Sequence, residues 1–260
     1  MKKKAVALNG LSVGYKEGRG YKTVLRNVTA SLYCGELVAL VGCNGAGKST
    51  LLRTLSAEHK PLSGDIRYQT GGVDGLSTAE LAKEIAVVLT DNTFATLTVR
   101  ERVSLGRLPY TGFLGRLSSD DRRIVDAVMQ VMGVERFASR GINSLSDGER
   151  QKCLIAKALA QDTPLILLDE PTAFLDFHGK LHLFRTLRSI AQEKNKAVLV
   201  STHDIELAIR MADRMWVVDN GTLHCGTIEE LSGSGVLCSY IDGNGCSYNA
   251  NEKRIEYNKI

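Results

Sequence analysis

The chain has 260 residues, of which 43% are hydrophobic, 24% charged and 6% aromatic; Lys+Arg 33 against Asp+Glu 29 leaves a net charge of +4. A chain of this size and composition can bury a large core, which excludes a disordered tail, a collagen-like fibre and a multi-span membrane protein. The charge excess is too small to argue for nucleic acid as a partner, and none is expected.

In chain order, Met1 to Lys4 imitates the basic start of a signal peptide, but the apolar stretch behind it ends at Asn9 and Gly10, so no export is expected. Short apolar or β-branched runs predict strands at Ala5–Val13, Leu37–Val41, Asp65–Tyr68, Ile85–Leu89, Leu165–Leu168, Ala197–Ser201, Arg214–Val218 and Thr222–Gly226. None approaches the roughly 20 apolar residues that cross a bilayer. The continuously apolar runs fit a parallel sheet covered by helices. His178–Ile190, with Leu181, Phe184, Leu187 and Ile190 at helical spacing between two such strands, completes a βαβ unit.

The stretch 98–160 reads differently. Thr98 with Glu101, and Ser118 with Asp121, are capped helix starts. Val125, Val128, Met129 and Met132 form one stripe that Gly133 stops. With no strand pattern between Leu89 and Leu165, the simplest account is a helical insert in an α/β domain spanning 1–231. From Ser232 onward Gly, Ser, Asn and Tyr replace core residues, so 232–260 reads as a peripheral extension. The six cysteines lack Cys-x-x-Cys spacing and read as small core residues in a reducing compartment.

Gly42-Cys-Asn-Gly-Ala-Gly-Lys-Ser49 follows a strand and enters the helical pattern Thr50–Leu55, the context of a P-loop. Gly42, Asn44, Gly45, Ala46, Gly47, Lys48, Ser49 and Thr50 are the candidate nucleotide-binding run. Glycines let successive N–H groups converge on phosphate, and the helix start adds partial positive charge. In this reading Lys48 neutralises β/γ-phosphate charge and the Ser49 hydroxyl sits on Mg²⁺. Leu165-Ile-Leu-Leu-Asp-Glu170 is an apolar strand ending in two carboxylates. Either they cap the next element, or Asp169 holds Mg²⁺ and Glu170 polarises the attacking water. Leu145-Ser-Asp-Gly-Glu-Arg-Gln151 holds a capping box, Ser146 with Glu149, before a stripe of Leu154, Ile155, Ala158 and Leu159. The same helix start, with Ser146 and Gly148, is also a phosphate clamp.

The order of these motifs, followed by Pro171-Thr172, Leu175-Asp176 and Ser201-Thr-His-Asp204, resembles the nucleotide-binding subunit of an ABC transporter over about residues 5–230. The resemblance implies a P-loop NTPase fold with a mixed sheet core and the helical insert. It further implies ATP and Mg²⁺ as ligands, Tyr15 stacking on adenine, Asp176 in a loop crossing a dimer interface and His203 at the γ-phosphate. Two copies would work head to tail on separate membrane permeases, at the cytoplasmic face of the cell membrane. Val99-Arg-Glu-Arg-Val-Ser-Leu-Gly-Arg-Leu-Pro-Tyr110 and the acidic Asp120–Asp121 are similar to the ATPases of iron-siderophore, haem and cobalamin importers, which can also use an extracytoplasmic substrate-binding protein. The permease would dock near Thr90 to Tyr110, against Phe94, Leu97, Leu108 and Tyr110; the bland reading makes these ordinary insert core.

Two departures stand out. Leu89 and Thr90 occupy the places of the family's proline and glutamine, so a shorter hydroxyl replaces an amide at the metal; Asp147 replaces a signature glycine and adds negative charge. The competing readings are a soluble ABC ATPase acting on nucleic acid or ribosomes, which usually carries two ATPase units or a coiled-coil insert, and a weakly hydrolysing nucleotide sensor, which Thr90 favours.

Overall fold

The computed structural model describes residues 2–18, 20–89, 97–112, 115–243 and 245–257. A long hairpin, β1 (Lys4–Glu17) and β2 (Gly20–Tyr33), leads into β3 (Glu36–Gly42), α1 (Lys48–Leu55) and β4 (Ser63–Tyr68). Next come α2 (Thr78–Glu84), β5 (Ile85–Val88), α3 (Val99–Ser104), α4 (Ser119–Val131) and α5 (Asp147–Ala160). The chain returns to the sheet through β6 (Leu165–Leu168), α6 (Phe177–Glu193), β7 (Ala197–Ser201), α7 (Ile205–Met211), β8 (Arg214–Asp219) and β9 (Thr222–Gly226). It closes with α8 (Ile228–Gly233), α9 (Val236–Ile241) and the hairpin β10 (Cys246–Asn249)–β11 (Arg254–Tyr257).

The central sheet has the order β5-β6-β7-β3-β8-β9; all neighbours are parallel except β9, which pairs antiparallel to β8 at the edge. Every residue of β3, β6 and β7 is buried, because helices or a second sheet cover both faces, and that is why these strands read as unbroken apolar runs. The second sheet, β2-β1-β4, is antiparallel and joins α1 in a core that contains Leu25, Leu52, Ile66 and Trp216. On the other face, α3, α4 and α5 pack with α6 in a core that includes Val103, Met129, Cys153 and Phe184.

β2 has no counterpart among the expected strands. Its buried positions run Leu25, Val28, Ala30, Leu32, and the break in alternation falls at Asn27, which sits at φ 49 as the register with β1 shifts. The helical insert follows the sequence pattern closely. Among the described residues it carries no named strand, and the three expected capping boxes all form at Thr98/Glu101, Ser118/Asp121 and Ser146/Glu149.

The tail beyond Ser232 is more structured than its composition suggests. Leu237 of α9 and Tyr248 of β10 are buried in a third cluster with Ala208, Ile209 and Val217, and Tyr248 shares a hydrogen bond with Ser232 at 2.9 Å. The cysteines follow the core reading only in part: Cys34 and Cys153 are buried, while Cys225, Cys238 and Cys246 are half-buried. All six are free, and Cys43, in the loop after β3, is exposed. No helix among the described residues is long and apolar enough to cross a membrane.

Candidate active site

The P-loop is shaped by its glycines. Gly45 and Gly47 have φ 77 and 107, and a Cβ on Gly47 would stand 2.8 Å from Val24 Cγ2, so close packing against β2 demands glycine there. Gly47 is also the residue before α1, whose start has no side-chain cap and no acid in its first turn. Its N–H groups and dipole therefore favour an anion. Lys48 folds back over the loop. Its Nζ donates to the carbonyls of Gly42 at 2.6 Å and Cys43 at 3.3 Å, and burial lowers its affinity for a proton against the pull of Glu170 and Asp169.

Two strand ends face this loop. β6 delivers Asp169, which is almost fully buried, and then Glu170, held at φ 49 where the chain leaves the sheet. β7 ends in Ser201 and leads to His203. His203 Nε2 and Glu170 Oε1 stand 2.8 Å apart without the alignment of a hydrogen bond. Burial raises the Glu170 carboxyl above its ordinary range, while the neighbouring His203 and Lys48 pull it back down.

Between these groups lies a cavity of about 250 Å³. Its walls are Asn44, Gly45, Gly47, Lys48, Ser49 and Thr50 from the P-loop, Asp169, Glu170 and His203 from the strand ends, and Tyr15 and Val24 from the β1–β2 hairpin. Gly42 and Ala46 shape the loop without lining it: a Cβ on Gly42 would meet the Ala46 side chain at 3.4 Å and Val218 at 3.0 Å. Tyr15 is 37% exposed, with the Lys22 ammonium 5.9 Å from its ring centre, so it is a surface aromatic and not a core one. The arrangement suits a polyphosphate with an aromatic ring available for a base.

Three expected site residues lie elsewhere. Ser146 and Gly148 open α5 and do not line the cavity. Ser146 is engaged with Glu149, its Oγ 3.0 Å from Oε2, and a Cβ on Gly148 would press on Leu175 and the Phe174 carbonyl at 3.2 Å. Asp176 caps α6 by accepting from the Gly179 N–H at 2.7 Å, in a segment where Phe174 and Phe177 are exposed. Asp147 is partly compensated, since Arg150 Nη1 donates to it at 3.0 Å. Thr90 and Phe94 lie outside the described residues. Leu108 and Tyr110 are both exposed, and the Tyr110 ring centre lies 4.1 Å from the Arg107 guanidinium and 5.8 Å from the Lys83 ammonium.

The ABC transporter family model matches residues 25–173, more than half of the chain. The chain belongs to the ABC transporter family. It is an ATP-binding subunit with the family's ATPase activity. Similar proteins include a cobalamin import ATP-binding protein of Halobacterium salinarum, 42% identical over 202 residues that cover 77% of this chain and 50% of that relative. The chain thus spans half the length of the halobacterial protein. An iron(3+)-hydroxamate import ATP-binding protein of Bacillus subtilis is 36% identical over 214 residues, covering 82% and 78%. A dimeric ATP-binding cassette solved in a post-hydrolysis state with ADP and Pi superposes with a TM-score of 0.75 at 31% identity, over 85% of this chain and 98% of that one. The ABC ATPase thus combines a mixed central sheet with helices inserted between β5 and β6.

Ser201 and Val24 escaped the sequence reading of this ABC cassette. Val24 belongs to the unrecognised β2. In the sequence Ser201 stands in one motif with His203, and its own signal is a single hydroxyl at the end of the apolar run 197–200.

Proposed function

We propose that two copies of the chain hold each ATP between them, Lys48, Ser49, Asp169, Glu170 and His203 of one acting with Ser146 and Gly148 of the other. The observation that carries this is the incomplete cavity: among the described residues, nothing from the 98–160 insert lines it, and the Ser146 helix start is exposed. The solved dimer of a related cassette supports the pairing. Tyr15 stacks on adenine and Asp176 marks the loop at the seam.

The donor set fits Mg²⁺. Asp169 and Ser49 offer hard oxygen ligands, and no group of three His, Cys, Asp or Glu forms a protein cage among the described residues, which suits a cation shared with phosphates and water. Bound there, Mg²⁺ neutralises charge on the transferred phosphoryl group. Lys48 leaves the loop carbonyls for the β/γ-phosphates. Glu170 accepts a hydrogen bond and then a proton from the water that attacks the γ-phosphorus, as the bond to the bridging oxygen breaks. His203 leaves Glu170 to donate to the γ-phosphate. Hydrolysis removes the ligand that joins the two copies.

The motif Val99–Tyr110 and the relatives named for cobalamin and iron-hydroxamate import support a metal chelate as the solute. It would be moved through separate permease subunits docked near Leu97 and Leu108 on the cytoplasmic face of the membrane and fed by an extracytoplasmic binding protein. The ATPase domain spans 1–231, and 232–260 is an accessory tail to it. Glu170→Gln should retain ATP binding, lower turnover by about a hundredfold or more, and make the ATP-loaded protein dimeric by sedimentation. Wild-type turnover, or an ATP-loaded variant that stays monomeric with its permease present, would overturn the reading.

A further inference from the structure

β6 and β7 run parallel with Leu168 opposite Val200, and beyond this pair the ladder changes character. On one side Asp169 still donates its N–H to the Val88 carbonyl at 2.8 Å. On the β7 side the next donor, the Glu170 N–H, meets no backbone carbonyl. It donates to Ser201 Oγ at 2.9 Å, and the same hydroxyl donates to Asp169 Oδ1 at 2.6 Å.

A serine hydroxyl has one proton and two lone pairs. With the Glu170 N–H fixed on one lone pair, the proton is directed at Asp169, and the chain N–H to Oγ–H to carboxylate polarises along its length. Ser201 is fully buried and Asp169 nearly so, which leaves little water to substitute for either bond. Glu170 meanwhile has φ 49, a conformation unfavourable for a residue with a side chain. In that conformation its N–H has Ser201 Oγ as acceptor. Two residues further along, the His203 imidazole stands at the Glu170 carboxylate.

We propose that Ser201 is a positioning residue for hydrolysis: one side chain on β7 fixes the orientation of both Asp169 and Glu170 toward the nucleotide. The proposal rests on the catalytic reading of those two acids given above. A serine that merely satisfied a buried N–H would affect stability, whereas this one sets kcat and the response to metal.

The test compares Ser201→Ala, Ser201→Cys and Ser201→Thr in the full chain, with Glu170→Gln as reference. Loss of an outer partner of a metal-binding carboxylate typically costs about 10–100-fold, and kcat of Ser201→Ala should fall within that range while KM for ATP stays within about twofold. Ser201→Cys keeps the shape but is a weak donor; it should melt like the parent and still lose about tenfold in kcat, so the test survives if the alanine variant folds poorly. Ser201→Thr restores the hydroxyl and should recover activity to within about threefold. In the hydrolysis-blocked Glu170→Gln background, the Mn²⁺ needed to half-saturate ATP-loaded protein should rise about fivefold on adding Ser201→Ala, read by electron paramagnetic resonance. Parental kcat in Ser201→Ala and Ser201→Cys beside an inactive Glu170→Gln overturns this inference alone, as does an unshifted Mn²⁺ titration. An active Glu170→Gln overturns the catalytic reading beneath it.

Discussion

Two helix starts in this ABC ATPase are built for anions in opposite ways. α1 begins at a left-handed glycine with no side-chain cap and no acid in its first turn. α5 begins with a complete capping box and two acids, Asp147 and Glu149, in its first turn. The first leaves its backbone donors and dipole to whatever enters the cavity. The second spends its serine and its dipole on its own chain until something displaces them. On the proposed pairing, isolated copies are prepared to bind nucleotide at the P-loop, while the α5 start contributes only when a partner presses phosphate onto it.

The largest expected effect comes from removing the charge that belongs to the prepared side. Lys48→Ala deletes the only lysine or arginine lining the cavity among the described residues. ATP affinity of the single chain should fall by about a hundredfold or more, measured by fluorescence titration at a concentration where the protein is monomeric. Undiminished affinity would erase the difference between the two helix starts. Gly47→Ala should follow. Its methyl group would meet Val24 at 2.8 Å in a backbone region hostile to side chains, so a penalty of about 1–3 kcal/mol is expected at the site. That would appear as weaker ATP binding with a modest drop in melting temperature; binding equal to the parent would show that the loop tolerates another path.

The same contrast explains what was legible in the sequence. β3 and β6 are covered on both faces, so burial wrote itself into them as unbroken apolar runs, and their catalytic ends could be placed at once. The capping boxes were legible because they are local: two residues three positions apart decide each one. β2 was not, because Asn27 turns the strand and breaks its alternation, and its pairing with β1 is set by contacts that no short window contains. The C-terminal hairpin was hidden for a similar reason, since Leu237 and Tyr248 are single anchors buried by partners far away in the chain. Ser201 was visible as a residue but not as a partner: its two hydrogen bonds reach 31 and 32 positions back. A hydroxyl ending an apolar strand is common, and only the fold shows what it faces.

On the α5 side the effects on nucleotide chemistry should be smaller and confined to the paired state. Ser146→Ala removes the cap, which costs the helix about 0.5–2 kcal/mol, and on the proposed pairing it removes a hydroxyl donor from the seam. ATP affinity of the monomer should stay within about twofold, while turnover of the paired protein should drop about tenfold. A monomer whose ATP affinity falls as far as its turnover would mean that Ser146 belongs to the same pocket as Lys48.

Glu149→Gln gives the smallest effect and the most telling one, because glutamine can keep the box while its charge is gone. The Glu149 carboxyl is held below its usual 4.5 by the Ser146 backbone N–H first and by the Ser146 hydroxyl second. A depressed acid stabilises the fold fully above its ordinary pKa, and that contribution fades as the pH drops through the lower folded value. The glutamine variant should therefore melt a few tenths of a kcal/mol less stably at neutral pH, the scale of a charge at a helix start, and the gap should close in acid. Association should move the other way. Glu149 puts a negative charge in the same first turn as Ser146, so on the proposed pairing the ATP-driven association of Glu149→Gln, measured by sedimentation in the Glu170→Gln background, should tighten about two- to threefold. Weaker pairing would mean that Glu149 holds Ser146 in the orientation the partner's nucleotide needs, and that the two helix starts differ less than their caps suggest.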